Sequence, residues 1–111
     1  MNIKEFCSRY AAGQRDFRNL NLMAGNLRNL NLKGVNLTGA NLTKANLTNT
    51  NLSSANLTGA ILTGAILNKT NFTQANLTDA NFSDTNLAEA NFSHAYLRRA
   101  TPANSLDSSI V

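Results

Sequence analysis

The sequence predicts an all-β solenoid, a quadrilateral β-helix of about four coils with a short N-terminal capping helix. Two observations lead to this fold. A Leu or Phe recurs at every fifth residue from Phe17 to Leu97, seventeen times without a slip. The other four positions of each five-residue unit also repeat in residue type. A period of five fits neither a helix nor a strand, so the repeating unit has to be read before any single element.

Each unit is centred on its Leu or Phe, as in Ala40-Asn41-Leu42-Thr43-Lys44. A small residue stands two before the centre, Asn one before, Thr or Ser one after, and Gly or a polar residue two after. The small and the large residue should point inward and the Asn outward, as in a very short strand. The last two residues should turn a corner, where Gly, Asn or Asp tolerates a positive φ. We also expect the Asn side chains to hydrogen bond along the stack.

Four units, or twenty residues, should close one square coil, and successive coils should pair edge to edge at roughly 4.8 Å. A five-residue unit cannot bury its own Leu, so stability requires coils above and below it. Residues twenty apart should then share a face. Two such sets are Leu32, Leu52, Phe72, Phe92 and Leu22, Leu42, Leu62, Phe82.

The ends of the chain predict three segments: a helical cap over 1–14, the β-helix over 15–101 and a tail over 102–111. Asn2 is followed three residues later by an acid, which makes a capping box. Ile3, Phe6, Cys7 and Tyr10 then form one apolar face of a helix over residues 3–12. Pro102 stands where the next Leu is due and cannot donate to a ladder. The tail therefore caps the last coil, mediates a dimer or is disordered.

The run Ala40-Asn41-Leu42-Thr43-Lys44, Ala45-Asn46-Leu47-Thr48-Asn49 resembles the A(D/N)LXX signature of the pentapeptide-repeat family. The segment from Glu5 to Gly13 is similar to the leader of several cyanobacterial members. The resemblance implies a right-handed β-helix, and members mostly without known activity. It also implies two alternatives: dimerisation through the C-terminal end, and gyrase modulation by DNA mimicry.

The charge of the chain is unevenly distributed, and its net value is +4. Residues 1–60 carry seven basic and two acidic side chains, against three and four in 61–111. DNA mimicry needs a long acidic rod, so a short basic chain argues against it. A basic end can instead attract nucleic acid or another anion, although a solubilising cap is the simpler interpretation. The candidate anion contacts are Arg9, Arg15, Arg18, Arg28 and Lys33.

No catalytic, cofactor-binding or metal-binding residues are expected. Cys7 is the only cysteine and His94 the only histidine. Asp79, Asp84 and Glu89 occupy the same corner slot of successive units, so they should lie on different faces instead of forming a catalytic pair. No apolar run reaches the length of a membrane span and no signal peptide is recognisable, which predicts a cytoplasmic protein without membrane contact. An enzyme is not expected.

Ile61 and Ile66 occupy the outward slot that is otherwise Asn. Two exposed apolar side chains near one corner make a candidate contact for another protein, with neutral drift as the alternative. Columns of Thr, such as Thr38, Thr58 and Thr78, raise an ice-binding surface as a further alternative. Thr is more simply explained as a strand-favouring residue. The predicted function is thus a non-catalytic scaffold or protein-interaction module.

Overall fold

The N-terminal helix is present, and its start carries the predicted cap. A computed structural model describes residues 1–102, so the predicted tail lies outside the described residues apart from its first residue. Helix α1 spans Ile3–Ala11, and the Asn2 side chain accepts a hydrogen bond from the Glu5 N–H at 2.8 Å. The helix ends one residue earlier than predicted, just before Gly13 at φ +106°.

The rest of the described chain winds as a four-sided solenoid. Single-residue parallel bridges, not longer strands, join residues twenty positions apart. They form four columns, which we call faces 1 to 4, beginning at Asp16, Asn21, Asn26 and Asn31. Successive coils comprise 16–35, 36–55, 56–75 and 76–95. The predicted register of twenty is therefore confirmed.

The core is a single column of the repeated large and small residues. The Leu and Phe centres from 17 to 82, together with Phe92, are buried, and Leu42, Leu52 and Leu62 have no exposed surface. Ala40 and Ala60, in the small slot, are buried beside them. The intervening Asn residues are half-buried or exposed. The predicted alternation of inward and outward side chains is confirmed.

The corners explain the choice of residue in the last slot of each unit. The second corner residue has a positive φ throughout, with Glu89 as the exception among residues 1–102. Gly39 supplies this conformation at φ +70°, and a Cβ at that position would collide with the Asn19 side chain. Lys44 adopts it at φ 59°. The stack of coils thus imposes the conformation even on residues that disfavour it.

Helix α1 lies across the open end of the first coil. Phe6 is fully buried and meets Phe17 edge to face, with ring centroids 4.6 Å apart. At the end of the helix, the Tyr10 hydroxyl donates to the Lys33 carbonyl at 2.6 Å. These contacts extend the core by one layer and cover apolar surface that the first coil would otherwise expose.

Candidate functional site

Ile61 and Ile66 lie on either side of one corner of the third coil. They are 40% and 47% exposed, respectively. Ile61 bridges Asn41 and Asn81 on face 2, and Ile66 bridges Asn46 on face 3. Because consecutive faces of a four-sided coil stand at a steep angle to each other, the two side chains diverge. A partner that contacts both must fit around the corner.

The Asn slot has a local structural role that Ile cannot fill. The Asn56 Oδ1 accepts from the Thr58 N–H at 3.1 Å and from the Thr58 hydroxyl at 2.7 Å. The same pair of bonds recurs at five other units, with their Asn and hydroxyl residues being Asn36 and Thr38, Asn41 and Thr43, Asn46 and Thr48, Asn76 and Thr78, Asn81 and Ser83. Each Asn therefore stabilises its own corner as an Asx turn.

The expectation that Asn side chains bond along the stack is largely wrong. Among the described residues, one such bond exists, from Asn51 Nδ2 to Asn31 Oδ1 at 3.3 Å. The local donors are held next to the Asn by the chain itself and lie closer, so they win the Oδ1 acceptor.

The corner between the two Ile residues is apolar and nearly bare. It contains Gly64, and the Lys44 Cγ lies 3.4 Å from where a Gly64 Cβ would stand. The aliphatic stem of Lys44 therefore lies against the corner and leaves its ammonium group at the edge. Asp84 occupies the equivalent corner position one coil further on. The site combines two exposed Ile side chains with one cation and one anion.

Tyr96 is a further exposed residue in the Asn slot, and the sequence interpretation missed it. It bridges Asn76 on face 1 and is 64% exposed. The signal was present, because an aromatic residue replaces Asn there just as Ile does at 61 and 66. Tyr96 lies near the C-terminal end of the solenoid, far along the stack from the first coil.

Two of the candidate anion contacts are paired within the chain. Arg9 binds Glu5 at 2.7 Å on the surface of α1. Arg18 donates two hydrogen bonds to the Asp16 carboxylate, both at 2.9 Å. The hydrogen bonds from Arg18 lower the pKa of Asp16 below its ordinary value, so this carboxylate stays charged beside the guanidinium.

The other three candidates are spread around the first coil and its entry. The Arg15 guanidinium lies 3.7 Å from the centre of the Tyr10 ring and donates to the Tyr10 carbonyl at 2.8 Å. Arg28 donates to Asn26 Oδ1 at 3.2 Å, and Lys33 stands at the following corner. The structure thus does not bring the five basic residues to one surface.

The described residues show little that could support catalysis. Within residues 1–102, no group of three or more His, Cys, Asp or Glu side chains is placed to hold a metal ion. Cys7 is half-buried and His94 is exposed. An open groove beside α1 is lined by Met1, Gln14 and residues 16–20. None of the helices in this part of the chain is long and apolar enough to cross a membrane.

Comparison with known proteins identifies the repeat. The family model for pentapeptide repeats matches residues 25–64 and 65–101, in 8 copies. A pentapeptide-repeat protein from the Arabidopsis thaliana thylakoid lumen is 28% identical in sequence, with a TM-score of 0.73. The match covers 77% of this chain and 59% of that one. This likeness and the family imply a right-handed quadrilateral β-helix.

Two cyanobacterial structures are also similar. HetL of Nostoc, a pentapeptide-repeat protein involved in heterocyst differentiation regulation, is 35% identical, with 90% of this chain and 46% of HetL covered and a TM-score of 0.44. A second Nostoc pentapeptide-repeat protein is 30% identical over 98% of this chain and 93% of its own, with a TM-score of 0.38. The chain thus spans less than two thirds of the plant protein and of HetL. No curated protein sequence matches it. The chain belongs to the pentapeptide-repeat family.

Proposed function

We propose that the chain is a non-catalytic scaffold that binds another protein around the corner between Ile61 and Ile66. In this proposal, four coils with α1 as the N-terminal cap form a rigid body, and the partner contacts its third coil. Pentapeptide-repeat proteins are generally structural or interaction scaffolds, not enzymes. The observation that carries the proposal is the exposure of both Ile side chains, at 40% and 47%, in a slot that Asn otherwise fills.

The two Ile residues replace side chains that stabilise the fold. An Asn at position 61 would accept from the Thr63 N–H and hydroxyl, as Asn41 does from Thr43 at 3.0 and 2.6 Å. Such bonds contribute about 1 kcal/mol each when shielded, and less when exposed. The strand preference of Ile offsets part of this loss. A contact with a partner would bury both Ile side chains and offset the remainder.

The shape of the corner limits the kind of partner. Two diverging apolar side chains with a bare Gly64 between them form a ridge, so the partner must offer an apolar groove. The Lys44 ammonium at one end and Asp84 at the other favour a groove with an acidic and a basic residue at its ends. This charge pattern fixes the direction in which the partner lies along the stack.

The test is affinity capture from a cytoplasmic extract of the source cell. Wild type is compared with a double variant, Ile61→Asn with Ile66→Asn, which restores the Asn slot and should fold at least as well. Met23→Thr is the matched control, since Met23 is 54% exposed but lies on the first coil. We expect the partner to bind wild type and Met23→Thr and to be lost from the double variant. A partner held equally by all three proteins would contradict the proposed site.

The alternatives have less support from the described surface. DNA mimicry or gyrase modulation requires dense negative charge, whereas Asp16 and Asp79 are each paired with an arginine. Anion or nucleic-acid binding at the N-terminal end would depend on Arg28 and Lys33. Salt-dependent binding to duplex DNA is its test, and we expect none at physiological ionic strength. Dimerisation through the C-terminal end involves residues beyond 102 and is measured by sedimentation.

A further inference from the structure

The fourth coil departs from the solenoid on face 3. On face 1, the third and fourth coils are joined by Leu57 N–H to Asn76 O at 2.8 Å and by Asn76 N–H to Ala55 O at 2.9 Å. Within the described residues, the equivalent bonds between Leu67 and Asn86 and between Asn86 and Ala65 are absent, and so is the bridge from Ile66 to Asn86. Residues 85–89 are therefore weakly attached to the coil above.

The one bond that remains is out of register. The Lys69 N–H donates to the Glu89 carbonyl at 3.1 Å. Elsewhere the same slot bonds a residue nineteen positions on, as in Gln74 N–H to Ser93 O at 2.9 Å, so Lys69 should bond Ala88. Glu89 also lacks the positive φ of every other corner in residues 16–101. The corner has slipped by one residue.

The interior of the fourth coil explains the slip. Phe82 and Phe92 enter this coil from opposite faces, with ring centroids 5.6 Å apart and planes at 85°. The third coil holds a single ring, Phe72, which stacks on Phe92 at 5.1 Å. Two rings leave less space for Leu87 on the face between them, and an overfilled core relaxes by moving backbone outward. Leu87 is accordingly half-buried, whereas Leu67 above it is 1% exposed.

Thr85 shows the same outward shift at the start of the segment. In the small slot, the Thr50 and Thr70 hydroxyls donate to Leu27 O and Leu47 O of the preceding coil at 2.6 and 2.7 Å. The Thr85 hydroxyl instead donates within its own coil, to Phe82 O at 2.7 Å. The segment thus makes no side-chain tie to the third coil at this end.

We infer that residues 85–89 form a flap that opens from the third coil well below the free energy of global unfolding. Opening requires the loss of the Lys69–Glu89 bond and of the remaining burial of Leu87. It uncovers Leu87 and the backbone edge from Ala65 to Leu67 directly beside the exposed Ile66. The flap is a property of the free chain and does not rest on the proposed partner contact, although it would enlarge the apolar surface at that corner.

Native-state hydrogen exchange of the free chain tests the flap. The reporter is the Lys69 amide, which bonds Glu89 O, and the matched control is the Gln74 amide in the same slot on face 4. We expect Lys69 to be roughly 5- to 30-fold less protected than Gln74, because its face lacks two backbone bonds. Its exchange should also be nearly independent of denaturant, as for a small local opening. Equal protection and equal denaturant dependence at the two amides would overturn the proposal.

A repair variant separates the flap from simple fraying of the chain end. Ala88→Thr with Glu89→Gly restores the hydroxyl and a residue that readily takes a positive φ. Phe92→Leu removes one of the two rings. We expect either change to raise Lys69 protection toward that of Gln74, while the Gln74 amide in the first variant changes by less than about twofold. Lys69 protection unchanged in both variants would overturn the origin of the flap in the slipped corner and the crowded core.

Discussion

The second and third coils differ from the fourth although all three are written in the same repeat. In the second and third coils, every Leu or Phe centre is buried and every face carries its bridge to the neighbouring coil. In the fourth coil, two Phe rings fill the interior and Leu87 is left half-buried on a face without a bridge. A repeat therefore sets register and direction, whereas the sum of side-chain volumes inside each coil decides whether its backbone closes.

The largest expected effect separates two Leu residues on the same face. Leu47→Ala in the second coil should destabilise the fold by about 2 to 5 kcal/mol, because a buried Leu is lost and a narrow core cannot collapse around the cavity. Leu87→Ala should cost only about 1 kcal/mol, since part of that side chain already contacts water. The free energy of unfolding from denaturant titration measures both. Equal losses would mean that Leu87 is as well packed as Leu47.

A smaller effect is expected at the small slot. Thr70→Val removes a fully buried hydroxyl that donates to Leu47 O at 2.7 Å, with little change in volume. The loss should be about 1 kcal/mol, since the carbonyl keeps its bond from the Thr50 N–H. Thr85→Val should cost less than about 0.5 kcal/mol, because its hydroxyl is only partly buried and bonds its own coil. Thermal unfolding of the two variants side by side checks the order, and a greater loss at Thr85 would contradict it.

Most of the fold was predictable because the repeat is a one-dimensional signal. The register of twenty, the inward position of Leu52 or Ala60 and the exposure of Ile61 and Ile66 all follow from the five-residue period. The start of α1 follows from its capping Asn2, since that bond joins neighbours in the chain. Each of these features depends on residues close in sequence or separated by a fixed interval.

The features that could not be predicted depend on competition in three dimensions. Whether an Asn Oδ1 bonds its own corner or the next coil depends on donor distances, and the local donor wins at Asn41. The displacement of Leu87 depends on Phe82 and Phe92 meeting inside one coil. The basic residues of the candidate anion site looked available in the sequence, yet Arg18 is held by Asp16. None of these outcomes is encoded in the period.

The smallest expected effect concerns an ion pair that ties the fourth coil to the chain beyond it. Arg99 donates to both carboxylate oxygens of Asp79, at 2.6 and 3.1 Å. These hydrogen bonds from Arg99 lower the pKa of Asp79 below its ordinary value of 3.8. A carboxyl with a lowered folded pKa stabilises the folded state above its unfolded pKa, and this contribution is lost as the pH falls through the folded pKa.

Wild type should therefore be slightly more stable than Asp79→Asn at pH 7, and this difference should shrink to nothing as the pH falls well below 3.8. Both partners are exposed, so salt should weaken the difference as well. Asp16→Asn is the matched control at the opposite end, because Arg18 lowers the pKa of Asp16 in the same way. If the flap lets the fourth coil move, Asp79 should show the weaker pH dependence of the two. A constant difference between wild type and Asp79→Asn across this pH range would show that the pair contributes nothing through its charge.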